Sequence, residues 1–125
     1  MTRSALRFAW GAYCWLLFAA LLSAAVLAAI LLPSLHLRRD ASRAMARGFF
    51  RLAGLGFRVD GLERLPERSS VVVANHSSYI DGPLLYAALP PRFGFVIKKE
   101  VAKVPLAGWL LHRLGHEFVD RHNKS

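Results

Sequence analysis

The stretch that decides the fold is VVVANHSSYIDGP, residues 71–83. It opens with four apolar residues, three of them β-branched, which is typical of a short buried strand in a parallel sheet. The run ends on Asn75 and His76, and Asp81 follows five positions after the histidine. The stretch therefore predicts a strand, a polar loop at its carboxyl end, and the start of a helix.

The segments that follow repeat this alternation of strand and helix. Residues 79–89 have a helical pattern that a Pro-Pro pair stops, and FGFVI at residues 93–97 predicts a second strand. Residues 105–114 place a leucine at every fourth position, with Gly115 as a helix stop. EFVD at residues 117–120 predicts a third strand. This order predicts an α/β layer with a mainly parallel sheet.

The histidine and the aspartate can form a catalytic pair. Functional groups gather just beyond the carboxyl ends of strands in open α/β sheets, where His76 falls. A carboxylate at Asp81 can accept a hydrogen bond from one imidazole nitrogen and leave the other free as a general base. Because Ser77 and Ser78 lack the Gly-x-Ser-x-Gly pattern of an activated nucleophile, the base would act on a bound hydroxyl. On spacing alone, the pair also fits an ordinary helix start with a surface carboxylate.

A long apolar run dominates the N-terminal third. Residues 8–35 contain no Asp, Glu, Lys or Arg, and the run exceeds the roughly 20 apolar residues that cross a bilayer. Trp10, Tyr13 and Trp15 lie near its start, where amphipathic rings favour the membrane interface. A cleaved signal peptide has a shorter apolar core of about 7–15 residues, so we predict a retained membrane segment. It either spans the bilayer or pairs with the next helix as a hairpin in one leaflet.

Beyond Pro33 the sequence predicts an amphipathic helix. Its basic face recurs every fourth residue and consists of Arg39, Arg43, Arg47 and Arg51. Its apolar face consists of Leu37, Ala41, Met45, Phe49 and Leu52. Because the helix directly follows a membrane segment, we expect the basic face to contact an anionic leaflet rather than the chain's own domain. The excess of arginine after the apolar run predicts that the C-terminal side is cytoplasmic.

The chain is strongly basic, but unevenly so. Residues 1–58 hold eight arginines and one acid, so they carry most of the formal net charge of +9. Nucleic acid or anionic lipid would suit this charge. The basic face adjoins a membrane segment without interleaved stacking aromatics, which argues against nucleic acid. A single cysteine excludes an intramolecular disulfide. His112 and His116 are separated by a helix-breaking glycine, so no metal site is predicted.

Two blocks of the sequence resemble the glycerolipid acyltransferase family, typified by 1-acylglycerol-3-phosphate acyltransferase. NHSSYID at residues 75–81 resembles its His-x4-Asp block. FVIKKEVAKVPLAGWLLHRLGHEFVDR at residues 95–121 resembles the next stretch, where a Lys-Glu pair precedes a Pro-x-x-Gly helix start and a strand ends in an arginine. The resemblance covers about residues 61–121. Both blocks, in order and behind a membrane element, form a specific signature.

The resemblance implies a role for each matching residue. His76 would be the general base on the acceptor hydroxyl, and Asp81 would orient it. The hydroxyl would attack the thioester of acyl-CoA or an acyl carrier protein without an acyl-enzyme, and Arg121 would bind the phosphate of a lysophospholipid acceptor. No metal or prosthetic group is implied. Three further substrate-binding positions match the family pattern: Asn75, Lys98 and Glu100.

The sequence also departs from the family pattern. The third block of the family, which resembles Pro-Glu-Gly-Thr-Arg, does not occur in these 125 residues. We therefore expect residues 1–58 to be a membrane anchor with a basic amphipathic helix, and residues 59–125 to be the N-terminal part of an incomplete acyltransferase domain. As such a truncated fragment, the chain alone should show little or no turnover. The acceptor expected first is 1-acylglycerol-3-phosphate, giving phosphatidate. The alternative is a non-catalytic membrane protein that keeps the fold and binds lipid or a partner.

Overall fold

The structure is a computed structural model that describes residues 2–75 and 80–120, and its first element is a long helix. This helix, α1, is Arg3–Leu31. Among the described residues it is the only helix long and apolar enough to cross a membrane by length and composition. The apolar run predicted at residues 8–35 therefore forms a helix over most of its length.

A short turn separates α1 from the second helix. Pro33 has no N–H for a helical hydrogen bond, and the chain leaves the helix there. The hydroxyl of Ser34 then caps the next helix by accepting a hydrogen bond from the N–H of Leu37 at 3.1 Å. The side chain of Arg38 also closes the turn, because its Nε donates to the carbonyl of Leu32 at 2.9 Å.

The second helix, α2 (Leu35–Leu52), folds back along α1. The hydroxyl of Tyr13 donates to the carbonyl of Leu52 at 2.8 Å. The rings of Phe18 and Phe49 meet edge to face with their centroids 5.9 Å apart. Since residues early in α1 meet residues late in α2, the two helices form an antiparallel hairpin.

The C-terminal part alternates helices and strands. In chain order it contains α3 (Asp81–Ala88), β1 (Val96–Lys98), a 3₁₀ turn (Lys99–Lys103), α4 (Ala107–Arg113) and β2 (Glu117–Val119). The two strands pair in parallel across the connection through α4. Their register pairs Val96 with Glu117, Ile97 with Phe118 and Lys98 with Val119. Both predicted helices and the second and third predicted strands are thus confirmed, within a few residues at each end.

In its described part up to residue 75, the connector between α2 and α3 holds one regular element, a 3₁₀ turn at Leu62–Arg64, and residues 71–75 differ from the prediction. Residues 71–75 form no strand, and Val71 and Val73 are 90% and 89% exposed. The predicted buried strand at residues 71–74 is therefore wrong for the described chain. A β-branched run favours extended backbone, but it becomes a strand only when a neighbouring strand supplies hydrogen bonds. In the described sheet, β1 pairs with β2 alone.

The core lies where α4 meets the C-terminal third of α1. Ala25 and Ala29 of α1 are buried against Leu110 of α4 and Leu114, the residue that ends this helix. Because the alanines are small, the two helices approach closely, and the Nε of Arg113 donates to the carbonyl of Ala29 at 3.2 Å. The membrane-type helix is therefore packed directly on the α/β part.

Two arginines of the basic face attach α2 to α3. The Nε of Arg47 donates to the carbonyl of Ala87 at 2.8 Å, and a guanidinium nitrogen of Arg43 donates to the carbonyl of Ala88 at 3.3 Å. These are the last carbonyls of α3, which have no partner inside their own helix and lie at the negative end of its dipole. The arginines therefore act as a C-terminal cap supplied by a neighbouring helix.

A third arginine of the basic face binds the end of α4. Arg39 donates to the carbonyls of Leu114 at 2.8 Å and Gly115 at 3.2 Å, and also to those of Pro91 and Arg92. Three of the four arginines of the basic face thus bind the chain's own backbone, and its predicted contact with an anionic leaflet stays a prediction. The unsatisfied carbonyls at two helix ends are closer acceptors than a lipid surface, and a guanidinium fork satisfies several of them at once.

Candidate active site

The predicted site residues fall partly inside and partly outside the described chain. His76 and Arg121 lie outside the described residues. Asn75 is exposed and ends the extended segment that leads to His76. Asp81 is the first residue of α3 and is half-buried.

Asp81 has a defined setting at the start of α3. Its carboxylate lies in the first turn, where the helix dipole favours negative charge. The opposite end of α3, about 10 Å away at 1.5 Å per residue, is held by Arg43 and Arg47 of α2. The element that carries the predicted orienting carboxylate is thus fixed to the helical hairpin at its far end.

Lys98 and Glu100 lie together at the carboxyl edge of the sheet. Lys98 is the last residue of β1, and Glu100 follows in the 3₁₀ turn; both are exposed. Because the strands are parallel, the carboxyl end of β2 lies at the same edge, with Val119 opposite Lys98. Arg121 comes two positions after Val119 in the sequence. The structure therefore groups Lys98, Glu100 and the end of β2, whereas Asp81 begins a separate element.

The Pro-x-x-Gly helix start has a physical reason in the structure. A Cβ added to Gly108 would lie against the backbone carbonyl of Ala102, so only glycine fits at this approach. Just before it, Leu106 has φ 63° and ψ −53°, and the N–H of Ala107 bonds to the carbonyl of Pro105 at 2.7 Å. This is a γ-turn with positive φ, a rare and strained conformation for a residue with a side chain.

His116 is a buried residue that the sequence reasoning considered only as a metal ligand with His112. It is 4% exposed, its Nδ1 accepts a hydrogen bond from the N–H of Phe95 at 3.0 Å, and the ring of Tyr86 lies edge-on to it. Burial, with a smaller contribution from the positive charge of Arg39, lowers the pKa of His116 to about 4. His112 is exposed. The sequence signal for the burial of His116 was its position between Gly115, which ends a helix, and the strand that begins at Glu117.

Two shallow clefts open on the described surface, away from the sheet edge. One, of about 310 Å³, is lined by Glu67, Ser69, Ser70, Arg92, Phe93 and Gly94. The other, of about 530 Å³, lies where α2 meets the connector. Neither is lined by Asp81, Lys98 or Glu100. Across residues 2–75 and 80–120, no three His, Cys, Asp or Glu side chains come together as a metal site.

The family follows from the sequence of this C-terminal region. The profile of the Acyltransferase family matches residues 56–125, and the matched region contains every predicted site residue. The chain belongs to the Acyltransferase family, and the predicted resemblance to glycerolipid acyltransferases is confirmed. No solved structure matches the chain.

Several characterised relatives match the same region. A 1-acyl-sn-glycerol-3-phosphate acyltransferase of Saccharomyces cerevisiae is 32% identical over 74 residues, which are 59% of this chain and 24% of the yeast protein. A lyso-ornithine lipid O-acyltransferase of Pseudomonas aeruginosa is 42% identical over 55% of this chain and 26% of its own length. A lysophospholipid acyltransferase of Arabidopsis thaliana is 42% identical over 48% of this chain and 15% of its own length. The chain thus spans about a quarter or less of these relatives.

Proposed function

We propose that the chain transfers an acyl group from a thioester, acyl-CoA or acyl carrier protein, to the free hydroxyl of a lysophospholipid. The observation that carries the proposal is the family match over residues 56–125. The relatives support the acceptor class, because the names of three of them specify a lyso-lipid or a monoacyl glycerol phosphate. The acceptor proposed first is 1-acylglycerol-3-phosphate, which would give phosphatidate.

In the proposed reaction His76 acts as the general base. It takes the proton of the acceptor hydroxyl as the oxygen attacks the thioester carbonyl, forming the ester bond and breaking the carbon–sulfur bond. The imidazolium then returns the proton to the departing thiolate, so the products are an ester and a free thiol. Asp81 would hold the imidazole in the required tautomer and stabilise the imidazolium. Its position in the first turn of α3, five positions after His76 in the sequence, supports this role.

We propose that Arg121 binds the acceptor's phosphate. Lys98 supports this proposal, because it is an exposed cation at the carboxyl edge of the sheet, opposite Val119, which precedes Arg121 by two positions in the sequence. Glu100 and Asn75 are proposed as further substrate contacts. A guanidinium can bind two phosphate oxygens at once, whereas an acceptor with an amino-acid head group offers no phosphate. The role of Arg121 should therefore depend on the acceptor.

We also propose that α1 attaches the chain to a membrane, with residues 1–58 as the anchor and residues 59–125 as the acyltransferase part on the cytoplasmic side. The exposed side chains of α1 support membrane contact, since they include Phe8, Trp15, Leu16, Ile30 and Leu31. The antiparallel packing of α2 along α1 favours the hairpin over a separately spanning helix, because α2 brings arginines alongside the apolar helix. No nucleic acid is proposed as a partner.

The test is release of free thiol from acyl-CoA in the presence of each lyso-lipid, with the chain extended to include the third family block and bound to anionic vesicles. His76→Ala should lower the rate by about 10²- to 10⁴-fold, and Asp81→Asn should also lower it strongly. Arg121→Ala should raise the KM for lysophosphatidate while leaving that for acyl-CoA unchanged.

Two results would contradict this proposal. A His76→Ala rate within a few-fold of the parent would remove the base assignment. Membrane binding by the extended chain without thioester consumption for any lyso-lipid acceptor would favour the non-catalytic alternative.

A further inference from the structure

An apolar edge precedes and begins α4 without being covered by the described chain. Val104, Leu106 and Trp109, which we call the α4 edge, are 49%, 60% and 45% exposed. Single exposed apolar residues are ordinary on protein surfaces. Three large ones within six positions, one of them a tryptophan, form a patch of the kind that marks an interaction surface.

The backbone at Leu106 adds a second observation. Its positive φ is costly for a residue with a Cβ, whereas glycine or asparagine would adopt it more easily. The strained turn aims a leucine outward rather than into the core, where Leu110 and Leu114 are buried. The side chain of Leu106 therefore gains little from packing within the described chain, and an apolar contact from outside would stabilise the turn further.

The position of α4 identifies what that contact is. Arg113 bonds to the carbonyl of Ala29, two residues before the end of α1, so α4 lies about 3 Å along the helix axis from that end. The neighbouring part of α1 exposes Ile30 and Leu31. Any lipid surface that accepts this end of α1 thus lies next to α4.

The charges and ring chemistry of α4 suit the boundary between lipid headgroups and acyl chains. Trp109 and Arg113 are four residues apart and so lie on one face of the helix. Tryptophan prefers the membrane interface, and lysine or arginine near it binds anionic headgroups. Lys103 is exposed just before the α4 edge, and no acid occurs between Glu100 and Glu117.

We propose that the α4 edge is a second lipid contact, inserted in the headgroup–acyl boundary of an anionic bilayer beside α1. The proposal rests on the membrane attachment proposed above. It also places the 3₁₀ turn that carries Glu100 and leads into Val104 near the lipid surface. A lyso-lipid acceptor would then reach the candidate site from the membrane rather than through water.

The experiment uses Trp109 as a reporter in the chain carrying Trp10→Phe and Trp15→Phe. The protein is bound to vesicles of phosphatidylcholine and phosphatidylglycerol, and flotation is measured on the same sample. Lipids brominated near the headgroup should quench the emission, and lipids brominated near the chain terminus should quench it less. Iodide added to the water should quench Trp109 of the vesicle-bound protein several-fold less than Trp109 of the protein unfolded in urea.

Two variants sharpen the test. Leu106→Asn tolerates the positive φ but removes the apolar side chain, so it should reduce lipid quenching of Trp109 while the protein still floats. In a reference variant, Trp109 is also changed to Phe and the exposed Val96 of β1 is changed to Trp. Its emission should stay open to iodide.

The outcomes separate the two proposals. A chain that floats while Trp109 remains fully open to iodide overturns the lipid contact at the α4 edge and leaves membrane attachment intact. A chain that does not float overturns both. Equal shielding of the reporter at Val96 would also overturn the assignment, because the protection would not be specific to α4.

Discussion

Gly108 shows, at the scale of one residue, what a sequence pattern states and what it leaves out. The Pro-x-x-Gly motif identified the helix start, and the structure adds the reason: the turn through Leu106 brings the backbone of Ala102 against the position of the missing Cβ. This contact depends on a positive φ at a leucine. Local preference disfavours that conformation, so the sequence alone could not predict it.

Gly108→Ala should therefore destabilise the chain by about 1–3 kcal/mol, because a methyl group must displace backbone rather than a flexible side chain. The measurement is the urea midpoint of the chain in detergent micelles. Gly48→Ala in α2 is the matched control, since a Cβ there meets nothing within 4 Å. The control should be neutral or stabilising by up to about 1 kcal/mol. Equal midpoints for the two variants would contradict the close approach.

His116 predicts a pH dependence of stability. Its pKa is about 4 in the folded chain against 6.5 for a free histidine, so between these values the unfolded state binds a proton that the folded state does not. The free energy of unfolding should fall as the pH drops from about 6.5 to 4, by up to about 1.4 kcal/mol per pH unit from this group.

The matched variant for this prediction is His116→Asn, whose side-chain oxygen can still accept from the N–H of Phe95 but does not titrate. Urea midpoints measured at several pH values should show a flatter dependence in the variant than in the parent. Parallel curves would mean that acids elsewhere cause the whole decline.

At the scale of elements, the sequence predicted helices better than strands. The period of α2 and the leucine spacing of α4 are local patterns, and both helices form. A strand instead requires a neighbour, and residues 71–74 and 93–97 are both short, mainly apolar runs that predict strands. Only the second, through Val96–Lys98, pairs with β2. For the candidate site, the sequence predicted which residues take part and in what order along the chain. The structure adds that Lys98 and the end of β2 lie at the same edge of the sheet.

The basic face of α2 gives a test at the same scale. Arg39→Ala removes a guanidinium that donates to four carbonyls. A hydrogen bond to a charged group contributes about 1.5–3 kcal/mol, but the contributions of several bonds from one side chain do not add. We expect a loss of at least about 2 kcal/mol in unfolding free energy, measured by urea titration. Arg51→Ala should change it by less than about 0.5 kcal/mol, because this arginine is exposed at the end of the helix.

Similar losses for Arg39→Ala and Arg51→Ala would contradict the assignment of the basic face to the ends of α3 and α4. The face would then revert to the lipid contact that its sequence pattern suggested. Binding of both variants to neutral and anionic vesicles separates the two roles, since only a lipid contact depends on the vesicle charge.

At the scale of the whole molecule, the exposed apolar surface of α1 predicts how the chain is extracted from membranes. The chain should remain with membranes in high salt and be released by detergent. Salt screens charge but does not weaken apolar burial. Sedimentation of membranes after washing with high salt, with carbonate and with detergent makes the measurement. Release by salt alone would contradict attachment through α1.

The contact between Ala29 and Arg113 joins positions 84 residues apart, and this sets an order of events on the ribosome. At about 5–20 residues per second, roughly 4–17 seconds pass between synthesis of the two partners. During that time the alanine face of α1 has no α4 to cover it. If the nascent α1 reaches the bilayer within this interval, it contacts lipid before it contacts α4. The acyltransferase part then folds against a helix that is already bound to the membrane.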